Sequence, residues 1–290
     1  MKESFKTVKF RADRLLMVEQ CDQIITQYQA QGLRLTLRQL YYQLVTHNII
    51  KNEERSYKTL GNLVSEARLG GLLDWDAIED RVRIPRMSSE FANLRELVNA
   101  ALYSYRLPRW KGQEYYVELW VEKDAISGVL SPMASEYHIT LMVNRGYSSQ
   151  SAMYEAAKRF MRHERKGTTS ILLYLGDHDP SGEDMVRDIQ DRLTMFGSTV
   201  EVHKIALTME QVKEYNPPPN PAKLTDTRAT AYIEKYGDSS WEVDALPPDA
   251  LHQIVRDSIF EYVDMGLMDN VKVREESDKN RLKEFVKDIQ

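Results

Sequence analysis

The chain has 290 residues, 42% hydrophobic and 29% charged, a soluble globular composition long enough to bury the cores of two ordinary domains. No apolar run approaches the ~20 residues of a membrane span, and the first residues, MKESFKTVKF, lack the apolar stretch of a secretory signal. A lone cysteine, Cys21, excludes an intrachain disulfide and any multi-cysteine zinc site, so a cytoplasmic protein with no membrane partner is expected.

The net charge of −5 conceals an asymmetry: residues 1–111 carry a balance of +5 and the remainder −10. An acidic module that gathers metal beside a basic module that meets phosphate is one explanation, and ordinary surface scatter is the other. In chain order, residues 8–31 read as an amphipathic helix with Leu15, Leu16, Val18, Ile24, Ile25 and Tyr28 near helical spacing, closed by Gly32. Cys21 falls in it as a small buried hydrophobe. Thr36 caps a second helix, Leu37–His47, and a third runs over Ser56–Leu69 to Gly70-Gly71. Three short helices with tight turns predict a helix-turn-helix or winged-helix module, with Trp75–Pro85 as its wing and a helix over 90–104 leading out of it.

From Glu114 the pattern changes to strand 115–121, helix 124–136, strand 138–144, helix 149–163, strand 170–176, helix 182–195 and strand 199–206. This alternation predicts a parallel sheet with right-handed crossovers flanked by helices. Pro217-Pro218-Pro219 and Pro221 then interrupt regular structure, and the tail predicts helices near 226–236, 248–264 and 276–289. The expected organisation is a helical DNA-binding module (1–111), an α/β metal-binding domain (112–210), and a Pro-rich linker with a helical C-terminal region (211–290).

Two strand ends carry the chemistry. Val117–Val121 runs into Glu122-Lys123-Asp124, and Leu172–Leu175 runs into Gly176-Asp177-His178-Asp179-Pro180-Ser181-Gly182. In an open parallel sheet ligands bind at the carboxyl ends of strands. Asp177 and Asp179, two apart, share a side of an extended segment. With Glu122 they make an oxygen cage of the kind that suits Mg²⁺, which points to metal-dependent phosphoryl transfer. The alternative is that these acids are solvated or cap helices. His178 faces the other way and is read as structural. Ser181 with Asp184 matches a helix capping box, the alternative being that Glu183 or Asp184 assists a metal through water. Trp241–Leu246 is read as packing, the alternative being that Asp244 reaches the site.

The blocks VEKDAISGVL (121–130), NRGYSSQSAM (144–153) and LGDHDPSGEDM (175–185) resemble, in order and spacing, the Toprim domain of the topoisomerase VI A subunit and the related meiotic double-strand-break protein. In that family the blocks read approximately VEKDA, GKGYPD and DxDPxG, so Asn144-Arg145 stands where Gly-Lys is usual. Leu37-Arg38-Gln39-Leu40-Tyr41-Tyr42 looks like the family's winged-helix segment, in which an arginine precedes the DNA-attacking tyrosine by four positions. The resemblance covers roughly residues 35–205.

It implies that Glu122, Asp177 and Asp179 bind Mg²⁺ (or Mn²⁺). It also implies that Tyr42 attacks DNA to form a 5′-phosphotyrosyl link, and that two protomers share each site. The physical reading of Tyr42 leaves nucleophile and core residue open. Arg38, one turn earlier, is placed to stabilise a phenolate or hold the scissile phosphate. Lys123 and Arg145 are candidate phosphate contacts at the strand ends, and Arg34, Lys51, Arg55, Lys58 and Arg68 on the helical module. DNA, a second copy of the chain and a separate ATPase subunit are the expected partners, with a nucleoid-associated location. There is no GxxxxGK motif. The other readings are a Toprim nuclease of mobile-element or defence biology hydrolysing DNA with a metal-bound water, a phosphohydrolase using Asp177 as nucleophile, and a non-catalytic DNA-binding protein.

Overall fold

A computed structural model describes residues 2–78, 90–144, 146–222 and 226–286, with side chains to Glu284. Helices α1 (Ala12–Gln29), α2 (Leu37–Thr46) and α3 (Glu54–Leu69) close around Val18, Cys21, Ile25, Leu40, Leu44, Leu63 and Leu73. Helix α2 starts where it does because Thr36 and Gln39 form a reciprocal capping box, satisfying two otherwise orphan amides. Of the expected wing, the part from residue 79 to 85 lies outside the described residues. Helix α4 (Leu94–Ser104) follows and buries none of its residues.

The α/β pattern then appears nearly as expected: β1 (Tyr115–Val121), α5 (Asp124–Glu136), β2 (Thr140–Val143), α6 (Gln150–Glu164), β3 (Thr169–Leu175), α7 (Pro180–Met195) and β4 (Glu201–Ala206). The four strands form one parallel sheet in the order β2-β1-β3-β4. The near-continuous apolar runs of β1 and β3 are those of strands covered on both faces. Leu119, Val121, Leu173 and Leu175 face α5, whereas Trp120, Leu172 and Tyr174 face α6 and α7. Glu118, buried within β1, is satisfied by a forked pair of bonds from Arg159 (both 2.9 Å) and by Tyr116 and Trp120.

The chain beyond residue 206 completes this domain. Helix α8 (Met209–Tyr215), which the proline run obscures in the sequence, leads to a two-residue ladder of β5 (Asn220–Pro221) and β6 (Ser239–Ser240), with α9 (Ala229–Tyr236) between. Helix α10 (Pro248–Phe260) places Leu251, Val255 and Ile259 in the core on the α5 face. The last helix, α11 (Met265–Val286), begins well before the expected residue 276 and adds Met268 to the same core. Among the described residues no helix is long and apolar enough to cross a membrane.

Candidate active site

The connection from β1 to β2 runs one way along the sheet, and the connection from β2 to β3 returns past β1. Strand order therefore reverses between β1 and β3, the position where open α/β sheets bind ligands. Glu122 and Asp177 stand at the ends of those two strands. The Asp177 amide donates to Glu122 Oε2 at 3.0 Å, and the Glu122 amide bonds the Leu175 carbonyl at 2.8 Å.

A third segment arrives from the tail. His178 and Trp241 exchange two backbone hydrogen bonds of 2.9 Å, an isolated antiparallel bridge that lays residues 241–244 along the β3 end. The Val243 amide then donates to Asp177 Oδ1 at 2.9 Å. This brings Asp177, Glu242 and Asp244 together, with one carboxylate oxygen from each inside 4.8 Å of the others. Of these, Asp244 is fully buried and Glu242 half-buried.

Two cations answer these acids. Lys123 Nζ lies 2.6 Å from Glu242, 2.7 Å from Asp177 and 3.3 Å from Asp244. Arg38, from α2, pairs with Glu242, and its Nε lies 2.7 Å from Asp244 Oδ2, off the axis of a hydrogen bond. Burial pushes the Asp177 carboxyl up to about 7; Glu122, Asp244 and Glu242 add to the effect and Lys123 opposes it. Burial acts the same way on Glu242, but Lys123 and Arg38 outweigh it and hold that carboxyl down at about 2. The same acids raise Lys123 and Arg38 above their ordinary values despite burial.

Tyr42 sits on the other side of Arg38. Arg38 Nη2 donates to the Tyr42 hydroxyl at 3.4 Å, and the guanidinium lies 5.7 Å from the ring centre. Arg38, Tyr42, Asp177, Asp179 and Glu242 all border one cavity of about 420 Å³, whose walls also include Tyr41, Tyr57, Asn52, Trp241 and the acids Glu53 and Glu54. Tyr42 is only 3% exposed. Burial first, and the Asp244 and Glu242 charges second, push its phenol above its ordinary value.

Other expected residues fall as follows. Asp179 caps α7, accepting from the Gly182 amide at 2.6 Å and from Ser181 at 2.8 Å through Oδ1. The expected Ser181–Asp184 box is therefore corrected: α7 starts at Pro180, whose fixed φ suits the first helical position. Asp184 instead meets Arg187, Arg228 and Tyr147. His178 is buried against Tyr232, Tyr236 and Trp241, with Nδ1 2.7 Å from the Tyr232 hydroxyl, as a structural residue would be. Lys123, expected to face phosphate, is turned into the acid cluster. Arg68, a candidate backbone contact, donates to the Trp75 carbonyl (2.6 Å) and stacks on that indole. Arg34, Lys51, Arg55 and Lys58 are exposed on the helical module, Lys58 paired with Glu54. Arg145 lies outside the described residues.

Glu242 is the member that sequence reading missed. Its only local signal is the alternation Trp241-Glu242-Val243-Asp244, which puts two acids on one side just as Asp177 and Asp179 are. Donors that are all carboxylate oxygens fit a hard divalent cation. Comparison with protein-family models and with curated proteins finds no match to this chain.

Proposed function

We propose that this protein cleaves DNA strands in a divalent-cation-dependent reaction of the topoisomerase VI A type, with α1–α3 as a winged-helix module against a Toprim sheet. The observation that carries the reading is the convergence, on one cavity, of Tyr42 and Arg38 from the basic module with Asp177, Asp179 and Glu242 at the sheet's switch point. Glu122, Asp177 and Asp179 would hold Mg²⁺ or Mn²⁺, and Glu242 and Asp244, which cluster with Asp177 alone of these three, would add to the charge on that side. The cation supplies stabilisation of the negative charge that builds on phosphate oxygens.

The chain's own groups do the rest. Arg38 holds the scissile phosphate against Tyr42. The phenol oxygen bonds to the 5′ phosphorus, and the 3′ oxygen departs as a hydroxyl, taking up the proton that the phenol gives away. Lys123 neutralises the acids until that charge is supplied otherwise, and is then free to meet a phosphate oxygen. Exposed Arg34, Lys51, Arg55 and Lys58 hold the duplex through its backbone. A second copy of the chain would cut the opposite strand, and a separate ATPase subunit would be needed to drive strand passage.

The test is incubation with supercoiled plasmid and Mg²⁺ or Mn²⁺, a detergent quench, and a search for protein attached to DNA 5′ ends. Wild type should form the adduct, and both Tyr42→Phe and Asp177→Ala should lose it, the latter by at least about 100-fold. No cleavage with any cation would overturn the reading. One observation favours hydrolysis by water as a second reading: Tyr42 is buried and its phenol is held above its ordinary value. Cleavage that survives Tyr42→Phe but not Asp177→Ala would establish it.

A further inference from the structure

The ladder of the parallel sheet continues one residue past β1 and β2. The Asn144 amide bonds the Val121 carbonyl at 2.8 Å, as the Glu122 amide bonds that of Leu175. Since Val121 pairs with Val143, Asn144 stands beside Glu122 on the neighbouring strand. Side chains alternate along a strand. Trp120 and Met142 face the α6–α7 layer, so Glu122 and Asn144 project from that same face, where Glu122 Oε2 lies 3.5 Å from the Tyr174 hydroxyl.

Asn144 is 93% buried, its exposure being 7%, and among the described residues neither its amide nitrogen nor its amide oxygen has a hydrogen-bond partner. A carboxamide carries two donors and a strong acceptor, and leaving both ends unmet away from water is costly. Leucine would fill a purely structural position without that cost. Buried unmatched groups in folded proteins call for a reason, and a ligand, an ion or a water is the usual one. Ser148 Oγ, four residues on, is likewise without a hydrogen-bond partner among the described residues.

We infer that Asn144 is a binding residue of the cation site: its carboxamide oxygen, with Glu122, forms the β1–β2 side of a site for a hydrated divalent cation. Amide oxygens are ordinary ligands of such ions, directly or through their water shell. This inference rests on the metal-dependent reading proposed above, and it adds a neutral donor across the sheet from Asp177.

The experiment is Mn²⁺ binding to the full chain by calorimetry, with thermal unfolding followed in the presence of chelator and of Mn²⁺. Three proteins are compared: wild type, Asn144→Leu and Asn144→Asp. Asn144→Leu is expected to weaken Mn²⁺ binding about tenfold while leaving the melting temperature in chelator unchanged or higher, since two unmet polar groups are gone. Asn144→Asp is expected to bind more tightly than Asn144→Leu. A structural asparagine would give the reverse: lower melting in chelator and unaltered Mn²⁺ affinity. Equal Mn²⁺ affinity in wild type and Asn144→Leu would overturn the inference and leave the metal-dependent reading intact. Wild type that binds no Mn²⁺ would overturn both.

Discussion

At Gly182 the DxDPxG block is explained by contact rather than by flexibility. A Cβ there would collide with the carbonyl oxygen of Asp177, a backbone atom that has no room to yield. Gly176 is almost as tight, since a Cβ would lie 2.6 Å from the Tyr174 ring and 2.8 Å from Glu122 Oε2. Gly182→Ala should therefore cost about 1–3 kcal/mol, read as a lower urea midpoint. An unchanged midpoint would refute the steric account. Asp177 and Asp179 could be placed from their spacing and the strand that precedes them. What spacing left open is the division of labour: Asp179 gives one oxygen to a helix cap, whereas Asp177 faces Lys123. The Asp179 cap is a local matter of where α7 begins, and the Pro180 that fixes it was in plain view, whereas the Asp177 contact with Lys123 joins two distant segments.

The elements show the same contrast between local and distant causes. Strand β1 and helix α5 fall on the residues their periodicity predicts, because each is set by local pattern and burial. Helix α11 does not: it starts at Met265, where Leu267 bonds the Asp264 side chain, and its inner face is held by one acid. Glu275, 3% exposed, accepts from the Leu107 amide at 2.9 Å and meets Lys279 and Arg109 at 2.9 and 3.3 Å. Burial raises its carboxyl, but Lys279, the Leu107 amide and Arg109 prevail and hold it at about 2. A carboxyl depressed on folding contributes stability that is complete above the unfolded value of about 4.3 and is lost as pH falls from there toward 2. Glu275→Gln should thus lower stability at pH 7 by about 1–3 kcal/mol, with the gap to wild type closing below pH 4. A gap that stayed constant down to pH 2.5 would assign the effect to packing.

Across the whole molecule, the helical module and the sheet domain meet through charge. Arg38 on α2 reaches Glu242 and Asp244, and Asp244 has no access to water. Arg38 is partly exposed, and Lys123 still faces both acids when Arg38 is removed. Arg38→Ala is therefore expected to cost about 1–2 kcal/mol, below the penalty for stranding a buried charge, and to give a thermal transition that splits as the two modules lose their coupling. A single transition of unaltered midpoint would show that the apolar contacts of α2 suffice. None of this coupling was legible in the sequence, for Arg38, Lys123, Asp177 and Glu242 belong to four separate segments. The bridge between His178 and Trp241 that assembles them also has a consequence in time. Joining positions so far apart requires chain entropy to be given up before any contact repays it, whereas β1 with β2, and β3 with β4, close much shorter loops. During refolding, pulse-labelled amides of Leu119 and Leu173 in the sheet should become protected from exchange before those of His178 and Trp241. Simultaneous protection would show that the bridge forms with the sheet. With the expected order, the nascent domain holds a finished sheet whose acids still face water, and the site comes into being only when the last third of the chain folds back.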